Sequence, residues 1–350
     1  MQQLQDTIEK MLSRELNLGG RASFNYNALS QVKKKEMTID GLNVRLHFNP
    51  ARVASVMAKV DEKTLRERKC FLCPDGLESM QQSHLWKCSG DTEYFLRVNP
   101  FPIFERHFTI STAVHKRQEM KGHLSDMLEF AALLPAYDIF YNGPKCGASA
   151  PDHMHFQACP KDSLPVQKAS DRALSPLSED GHDFLSPLFP GIYRINGYVR
   201  GAYLLVSSTG DRMEKLFSFL MEARTAAGYG RSREIPANRI LWEGNRRIED
   251  EWEPRMNVLT WHDGFCAEFR TIVYFREESR PACFFEEDPQ KRILISPASV
   301  EMSGIAIVSS ADSFEKLDAG ILSSVMKEVS LSENKCAVVE SFIQEHKTLE

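Results

Sequence analysis

The most restrictive feature of this 350-residue sequence is a short segment near its middle in which polar and apolar residues alternate. The polar positions are His153, His155 and Gln157, and apolar residues stand between them, namely Met154, Phe156 and Ala158. Successive side chains of a β-strand point to opposite faces of the sheet. The pattern therefore predicts a half-buried strand over Asp152–Cys159 that carries three polar side chains on one face.

The regions before this strand predict an α+β fold. Strand-like runs cover 92–98 and 107–112, and apolar residues at helical spacing predict a helix over 118–134. Strand, strand, helix, strand is typical of an antiparallel sheet with helices packed against it. Upstream, a hairpin is predicted over 38–48, with its turn at Asp40-Gly41.

The second half of the sequence repeats this theme. The proline-rich region 160–190 predicts a long connection. After it, a helix is predicted over 211–226, and strands are predicted over 202–207, 256–262, 269–275, 292–295 and 305–309. We therefore expect two tandem half-domains, residues 1–190 with the histidine-rich strand and residues 191–350 without it.

Composition excludes several classes of partner. The chain has 43 basic and 48 acidic residues, for a net charge of −5, and non-specific binding to nucleic acid needs a net basic surface. It also lacks an apolar run of about 20 residues that could span a membrane and the basic, then apolar, start of a signal peptide. We expect a cytoplasmic protein that binds neither nucleic acid nor membrane.

Two short motifs indicate binding sites. Cys70 and Cys73 form a C-x-x-C pair, which in a cytoplasmic chain indicates metal binding or redox chemistry more often than a structural disulfide. The segment Gly147-Ala148-Ser149 precedes the histidine-rich strand and supplies small residues, backbone amides and a hydroxyl suited to phosphate oxygens.

With these residues in view, the sequence resembles the histidine triad superfamily. The likeness is closer to its larger transferase branch, which includes galactose-1-phosphate uridylyltransferase, diadenosine tetraphosphate phosphorylase and GDP-L-galactose phosphorylase. That branch carries His-x-His-x-Gln after a Gly/Ser-containing loop, as this sequence does at 147–157. Asn99-Pro100, His107 and His115 match a second superfamily segment, although Arg106 stands where glycine is usual.

The resemblance implies a histidine-triad-like antiparallel sheet and a nucleotidyltransferase or phosphorylase mechanism. His155 would attack the α-phosphorus and form a covalent nucleotidyl-histidine, while Gln157 would donate to a phosphate oxygen. Glutamine at this position accompanies transfer in the superfamily, whereas a third histidine accompanies hydrolysis. The matching substrate-binding positions are Asn99, Phe101, Asn142 and Ser149.

The resemblance also implies a structural zinc ion. Its ligands would be the cysteine pair and two histidines, Cys70, Cys73, His115 and His153. A competing interpretation uses Cys88 with Cys70 and Cys73 in a small zinc module that has no link to the catalytic strand. His107 is expected to be a packed or hydrogen-bonded strand histidine and not a ligand.

The identity of the substrate stays open at this point. A nucleoside diphosphate sugar or a dinucleoside polyphosphate would donate the nucleotide, and phosphate or a sugar 1-phosphate would accept it. Two alternatives are a nucleotide hydrolase of the same fold and a non-catalytic, zinc-stabilised nucleotide-binding protein. A homodimer is also open, since the resembling enzymes include both a dimer and a monomer.

Overall fold

The computed structural model describes residues 2–53, 62–76, 81–175, 181–228, 241–243, 246–248 and 253–346. In chain order the strands are β1 (Lys33–Ile39), β2 (Leu42–Phe48), β3 (Ser83–Lys87), β4 (Glu93–Val98), β5 (Phe108–Thr112), β6 (Tyr137–Asn142), β7 (His155–Pro160), β8 (Leu185–Phe189), β9 (Ile192–Ile195), β10 (Ala202–Ser207), β11 (Leu241–Glu243), β12 (Arg246–Ile248), β13 (Met256–Asp263), β14 (Glu268–Phe275) and β15 (Ile305–Val308).

The helices are α1 (Gln2–Leu18), α2 (Arg21–Ala28), α3 (Glu62–Glu67), α4 (Leu124–Leu133), α5 (Pro165–Leu174), α6 (Gly181–Phe184), α7 (Gly210–Ala226), α8 (Ser299–Met302), α9 (Ala311–Lys316), α10 (Ala319–Val329) and α11 (Glu333–Glu345). Helices and large antiparallel sheets together make an α+β fold, as the sequence predicts.

Ten strands form one continuous antiparallel sheet in the order β3-β4-β5-β7-β6-β13-β14-β10-β9-β8. The five strands from each edge of this sheet follow the same order. The first three are consecutive in the chain, β3, β4 and β5 from one edge and β8, β9 and β10 from the other. The next two are in reverse chain order, β7 then β6 and β14 then β13. A helix, α4 in one group and α7 in the other, follows the third strand. The repeated order agrees with an internal duplication, while the boundary near residue 190 stays a prediction.

The two groups of strands meet at a direct backbone pairing. Strand β6 pairs with β13 from Asn142↔Asn257 to Ile139↔Thr260. Each half therefore supplies the hydrogen-bond partners that would otherwise be missing at an exposed strand edge.

The sheet buries an apolar core on each face. One core contains residues of α1, α4, α7 and α11 packed on the sheet. The other contains residues of α5 and α10 and of a separate three-stranded sheet, β1-β2-β15. In that small sheet β2 pairs antiparallel with β1 and parallel with β15, so the first 50 residues contact the C-terminal part of the chain.

Several sequence predictions are confirmed and others are wrong. The hairpin turn at Asp40-Gly41 and the strand at 202–207 lie where they are predicted. The predicted connection at 160–190 instead contains α5, which begins at Pro165, and edge strand β8, which contains Pro187. Proline is compatible with the first turn of a helix and with an edge strand, so it did not exclude either element.

Two boundaries and one predicted strand also differ. Helix α4 begins at Leu124, not near Gln118, and β7 begins at His155, so His153 precedes the strand. Residues 292–295 form no strand, although Ile293 and Ile295 are buried. The backbone hydrogen bonds of this segment are irregular, because Ile293 N–H donates to Cys283 O and Ile295 N–H donates to Ile293 O. The apolar alternation therefore reflects burial without strand pairing. Among the described helices, none is long and apolar enough to cross a lipid bilayer.

Candidate active site and metal centre

His155 is a buried, neutral histidine at the start of β7. Its Nδ1–H donates to the His153 carbonyl at 2.8 Å, which leaves Nε2 as the ring nitrogen with a free lone pair. Burial lowers the pKa of His155 to about 4, so the ring carries no charge at neutral pH. These features suit a nucleophile or a general base.

Gln118 holds the backbone of His155 in place from both sides. Its Oε1 accepts from His155 N–H at 2.7 Å, and its Nε2 donates to His155 O at 3.0 Å and to Asn142 O at 2.9 Å. Gln118 thus bridges the ends of β6 and β7. Gln118 is itself buried although it lies outside a helix.

Gln157 lies two residues farther along the same face and has a fixed orientation. Its Oε1 accepts from His107 Nε2–H at 2.9 Å and from Asn99 Nδ2 at 3.3 Å. His107 must donate through Nε2, because its Nδ1 accepts from Ile103 N–H. With the oxygen occupied, the amide NH₂ of Gln157 is the group available to a ligand. His107 is therefore a hydrogen-bonded strand histidine, as the sequence predicts.

His155 and Gln157 line a cavity of about 490 Å³. The predicted substrate-binding residues line the same cavity, namely Asn99, Phe101, Asn142 and Ser149. His153 does not line it, so the three polar residues of the motif divide between two sites. The irregular backbone before β7 separates His153 from the face that His155 and Gln157 share.

Asn99 and Asn142, two of the predicted substrate-binding residues, also make hydrogen bonds within the protein. Asn99 Oδ1 accepts from Phe101 N–H at 2.9 Å, and Asn142 Oδ1 accepts from Ser299 N–H at 2.8 Å and from Asn257 Nδ2 at 3.0 Å. Asn142 therefore connects the first half of the chain to the second, and its NH₂ group is the part left for a ligand.

The second half of the chain completes the cavity. Its contribution to the lining is Ser279, Arg280, Phe285, Ser296, Ala298, Val300, Glu301 and Ile307. Gly147, with φ of 93°, packs so closely on this half that a Cβ there would lie 2.4 Å from Ala298 Cβ. The small residues of the 147–149 loop therefore permit contact between the halves as well as access to a ligand.

The charges of the cavity favour an anion. Among the described residues that line it, four are arginines and one is a carboxylate, in order Arg21, Arg52, Arg97, Arg280 and Glu301. The carboxylate already has a hydrogen-bond partner in the protein, since Glu301 Oε2 accepts from Ala298 N–H at 2.9 Å. Arginine is the residue best suited to phosphate oxygens because its planar guanidinium donates in a fixed fork. No sequence motif marks these arginines as anion ligands, although Arg97 stands two positions before Asn99.

A cluster of metal-ligand type lies directly beside this cavity. The ligand atoms of Cys70, Cys73, His115 and His153 all lie within 4.8 Å of one another. His153 Nδ1 lies 3.2 Å from Cys70 Sγ and 3.5 Å from Cys73 Sγ, and His115 Nδ1 lies 3.2 Å from Cys73 Sγ. Ligand atoms of a tetrahedral zinc site are separated by roughly 3.3–3.8 Å, given its bond lengths.

The surroundings of the cluster also fit a metal ion. His153 Nε2–H donates to Thr112 O at 2.8 Å, which directs the Nδ1 lone pair toward the sulfurs. Burial and the adjacent Cys70 sulfur raise the pKa of the Cys73 thiol, so an added cation is needed to favour the thiolates. Two sulfurs and two imidazoles suit zinc.

Cys88 does not belong to this cluster among the described residues. It is buried in the apolar core that contains Tyr94 and Leu128. Burial, followed by the nearby Glu129 and Asp126 carboxylates, raises the pKa of its thiol. The four-residue set that the resemblance implies is therefore the one that the structure brings together.

Comparisons with known proteins show which family model and which solved structures this chain resembles. A family model described as a domain of unknown function, DUF4922, matches residues 11–160. No curated protein sequence matches the chain. The crystal structure of yeast Ap4A phosphorylase Apa2 is similar, with a TM-score of 0.55 and 16% identity over 89% of this chain and 96% of that chain. This chain has the same overall fold.

Two further structures of the yeast phosphorylase give the same result. The complex with AMP matches with a TM-score of 0.52 and 16% identity over 89% of this chain and 95% of that chain. The complex with Ap4A matches with a TM-score of 0.53 and 15% identity over 91% of this chain and 97% of that chain. The shared fold thus extends through both halves of the sheet.

Proposed function

We propose that this protein is a nucleotidyltransferase of the phosphorylase type that acts through a covalent nucleotidyl-histidine at His155. The observation that carries the proposal is the state of His155, a buried neutral imidazole whose Nδ1–H is fixed and which lines an arginine-rich cavity. The fold shared with yeast Ap4A phosphorylase supports it. We assign the protein on this basis to the transferase branch of the histidine triad superfamily.

In the first step, the Nε2 lone pair of His155 attacks the α-phosphorus of the substrate. The N–P bond forms, the P–O bond to the rest of the phosphate chain breaks, and the leaving group takes that electron pair. Because Nδ1–H donates to the His153 carbonyl, the imidazole stays oriented as positive charge develops on it. The NH₂ of Gln157 donates to a non-bridging oxygen.

In the second step, an oxygen of inorganic phosphate attacks the same phosphorus from the face that the leaving group vacated. The new P–O bond forms and the N–P bond breaks, which returns the electron pair to His155 Nε2. The product is a nucleoside diphosphate. Asn99, Phe101, Asn142 and Ser149 would contact the nucleotide, since all four line the cavity.

Zinc is the metal that we assign to Cys70, Cys73, His115 and His153. When bound, it would supply a structural cross-link between the 70–73 segment and His153, which lies two residues before the first residue of β7. His153 has a ring that belongs to this cluster and a carbonyl that orients His155. The ligands of the cluster would therefore hold the catalytic imidazole in its reactive orientation.

A dinucleoside polyphosphate is the substrate class that we favour, because Ap4A is bound in one of the similar yeast structures. The test is product analysis with Ap4A, and with GDP-, UDP- and ADP-sugars, in the presence and absence of phosphate. We expect phosphate-dependent cleavage of Ap4A to a nucleoside diphosphate, abolished in His155→Ala and retained in His346→Ala, whose histidine is exposed.

Each alternative gives a different outcome of the same assay. Formation of a nucleoside monophosphate at an equal rate without phosphate would identify a hydrolase. Cleavage of a nucleotide sugar alone would reassign the donor. Tight nucleotide binding without turnover, unchanged in His155→Ala, would indicate a non-catalytic binding protein and contradict the proposal.

A further inference from the structure

A buried guanidinium that the mechanism above does not use lies between the metal-ligand cluster and the cavity. Arg97 belongs to β4, and its side chain lines the cavity although the residue is only 1% exposed. Its Nη1 donates to Leu72 O at 2.8 Å and to Ser111 Oγ at 2.9 Å. The ring of Phe95 lies 4.7 Å from the centre of the guanidinium.

The other nitrogens of Arg97 lack hydrogen-bond partners. Nε and Nη2 are both buried, and neither has a partner among the described residues. Burial lowers the pKa of Arg97 to about 10, so it still carries its charge at neutral pH. A buried, incompletely paired cation is costly, and such groups are normally matched by an anion.

The register of the sheet places this guanidinium close to the reacting atoms. Arg97 is opposite Thr109, which is opposite Gln157 on the next strand. Ser111, which accepts from Arg97, is opposite His155. Adjacent strands are about 4.8 Å apart, so Ser111, which the guanidinium contacts, lies one strand spacing from the backbone of the proposed nucleophile.

The hydrogen-bond partners of Arg97 among the described residues are both uncharged. They are the Leu72 carbonyl and the Ser111 hydroxyl, and both contact Nη1. The positive charge of Arg97 is therefore available to an anion in the cavity.

We propose that Arg97 binds non-bridging oxygens of the phosphate chain of the ligand that occupies the cavity at His155. The unpartnered Nε and Nη2 would donate to these oxygens, and Leu72, Ser111 and Phe95 would hold the guanidinium in place. Charge-assisted guanidinium–phosphate contacts of this kind are short and specific. The inference rests on the proposed function, because it takes the ligand to be a nucleotide.

Calorimetric titration with ADP, adenosine and pyrophosphate tests this assignment. We expect Arg97→Met to weaken ADP and pyrophosphate binding by about 10- to 100-fold, as loss of hydrogen bonds to a charged group predicts, while adenosine affinity changes less than about twofold. Arg97→Lys should retain part of the affinity. The matched control is Arg106→Met, because Arg106 is 44% exposed, pairs with Glu9 and does not line the cavity.

Zinc content and circular dichroism of the same variants separate phosphate binding from a purely structural role. The proposal predicts wild-type zinc content and fold in Arg97→Lys with weaker pyrophosphate binding. Unchanged pyrophosphate affinity, or equal weakening of ADP and adenosine, would overturn it, as would loss of zinc in both Arg97 variants. If the wild type binds pyrophosphate through Arg97 yet transfers no nucleotide, the proposed function fails while this anion site stands.

Discussion

At the scale of single residues, the amide orientation of Gln157 leads to a prediction about turnover. His107 and Asn99 both donate to Gln157 Oε1, so its NH₂ is the group available to the proposed phosphate ligand. Gln157→Glu replaces that donor with an acceptor that repels phosphate. We expect turnover of Ap4A to fall by about 10²- to 10³-fold, measured by initial rates at saturating substrate.

The control for this variant is Gln31→Glu, which introduces the same charge at an exposed position. Its turnover should match the wild type. A Gln157→Glu enzyme with wild-type turnover would show that the amide does not stabilise the developing charge.

Glu253 leads to a second prediction at the scale of single residues, on how the free energy of unfolding depends on pH. Its carboxyl accepts from Tyr141 Oη and from Met120 N–H, and burial raises its pKa from 4.5 to about 7. The folded state therefore retains a proton that the unfolded state loses as pH rises from 4.5 to 7. The free energy of unfolding falls across that window, by an amount on the order of 2 kcal/mol.

Removing the ionisable group should remove this pH dependence. We expect Glu253→Gln to gain stability relative to the wild type as pH rises from 4.5 to 7, measured by urea unfolding at several pH values. Glu286→Gln, at an exposed glutamate, should follow the wild-type curve. Parallel curves for wild type and Glu253→Gln would refute the assignment.

The spacing of residues in the sequence predicts part of the site. Alternation predicts a shared face for His155 and Gln157, which line one cavity, and the C-x-x-C pair predicts a metal site, where the structure brings four ligand-type residues together. Gln118 and Asn257 act through backbone and amide hydrogen bonds to distant segments. Nothing local in the sequence marks such contacts, because they depend on which strands become neighbours.

At the scale of elements, the metal-ligand cluster connects the 70–73 segment to His153, just upstream of β7. Cys73→Ser removes one ligand, so we expect zinc near one equivalent in the wild type and its loss in this variant. Site-specific metal binding stabilises the folded state by about 4 kcal/mol when free metal is 1,000-fold above its Kd. The Tm of Cys73→Ser should fall accordingly, measured by calorimetry.

Cys88→Ser provides the matched control, because the cysteine is buried in an apolar core outside the cluster. It should retain its zinc. Retention of zinc in Cys73→Ser together with its loss in Cys88→Ser would support the competing cysteine module.

Elements with a regular apolar period could be predicted from the sequence, and irregular ones could not. Strands β10 and β14 lie close to their predicted positions. The 292–295 segment shows the same alternation but has buried isoleucines without ladder pairing. Burial alone produces a two-residue period in an extended segment, so the period does not prove sheet pairing.

At the scale of the whole molecule, the two halves share one sheet and one cavity. β6 pairs with β13, β2 pairs with β15, and the cavity needs residues from both halves. We therefore expect residues 1–190 expressed alone to lack cooperative unfolding in calorimetry and to be cleaved rapidly by protease. Co-expression with residues 191–350 should restore both properties.

An isolated 1–190 chain that unfolds cooperatively would contradict this expectation. The sequence predicts two tandem half-domains from a similar order of strands and helix in each. The pairing of β2 with β15 was not, because a parallel contact between the first and last parts of a chain leaves no local pattern.

The covalent intermediate tests the central claim most directly. The protein is incubated with Ap4A labelled at its α-phosphates, without added phosphate, and then denatured and separated from free nucleotide. We predict an acid-labile, base-stable label on the wild type that is absent from His155→Ala and is discharged as a nucleoside diphosphate on adding phosphate. Phosphate-dependent turnover without any such label, or a label that persists in His155→Ala, would contradict the account.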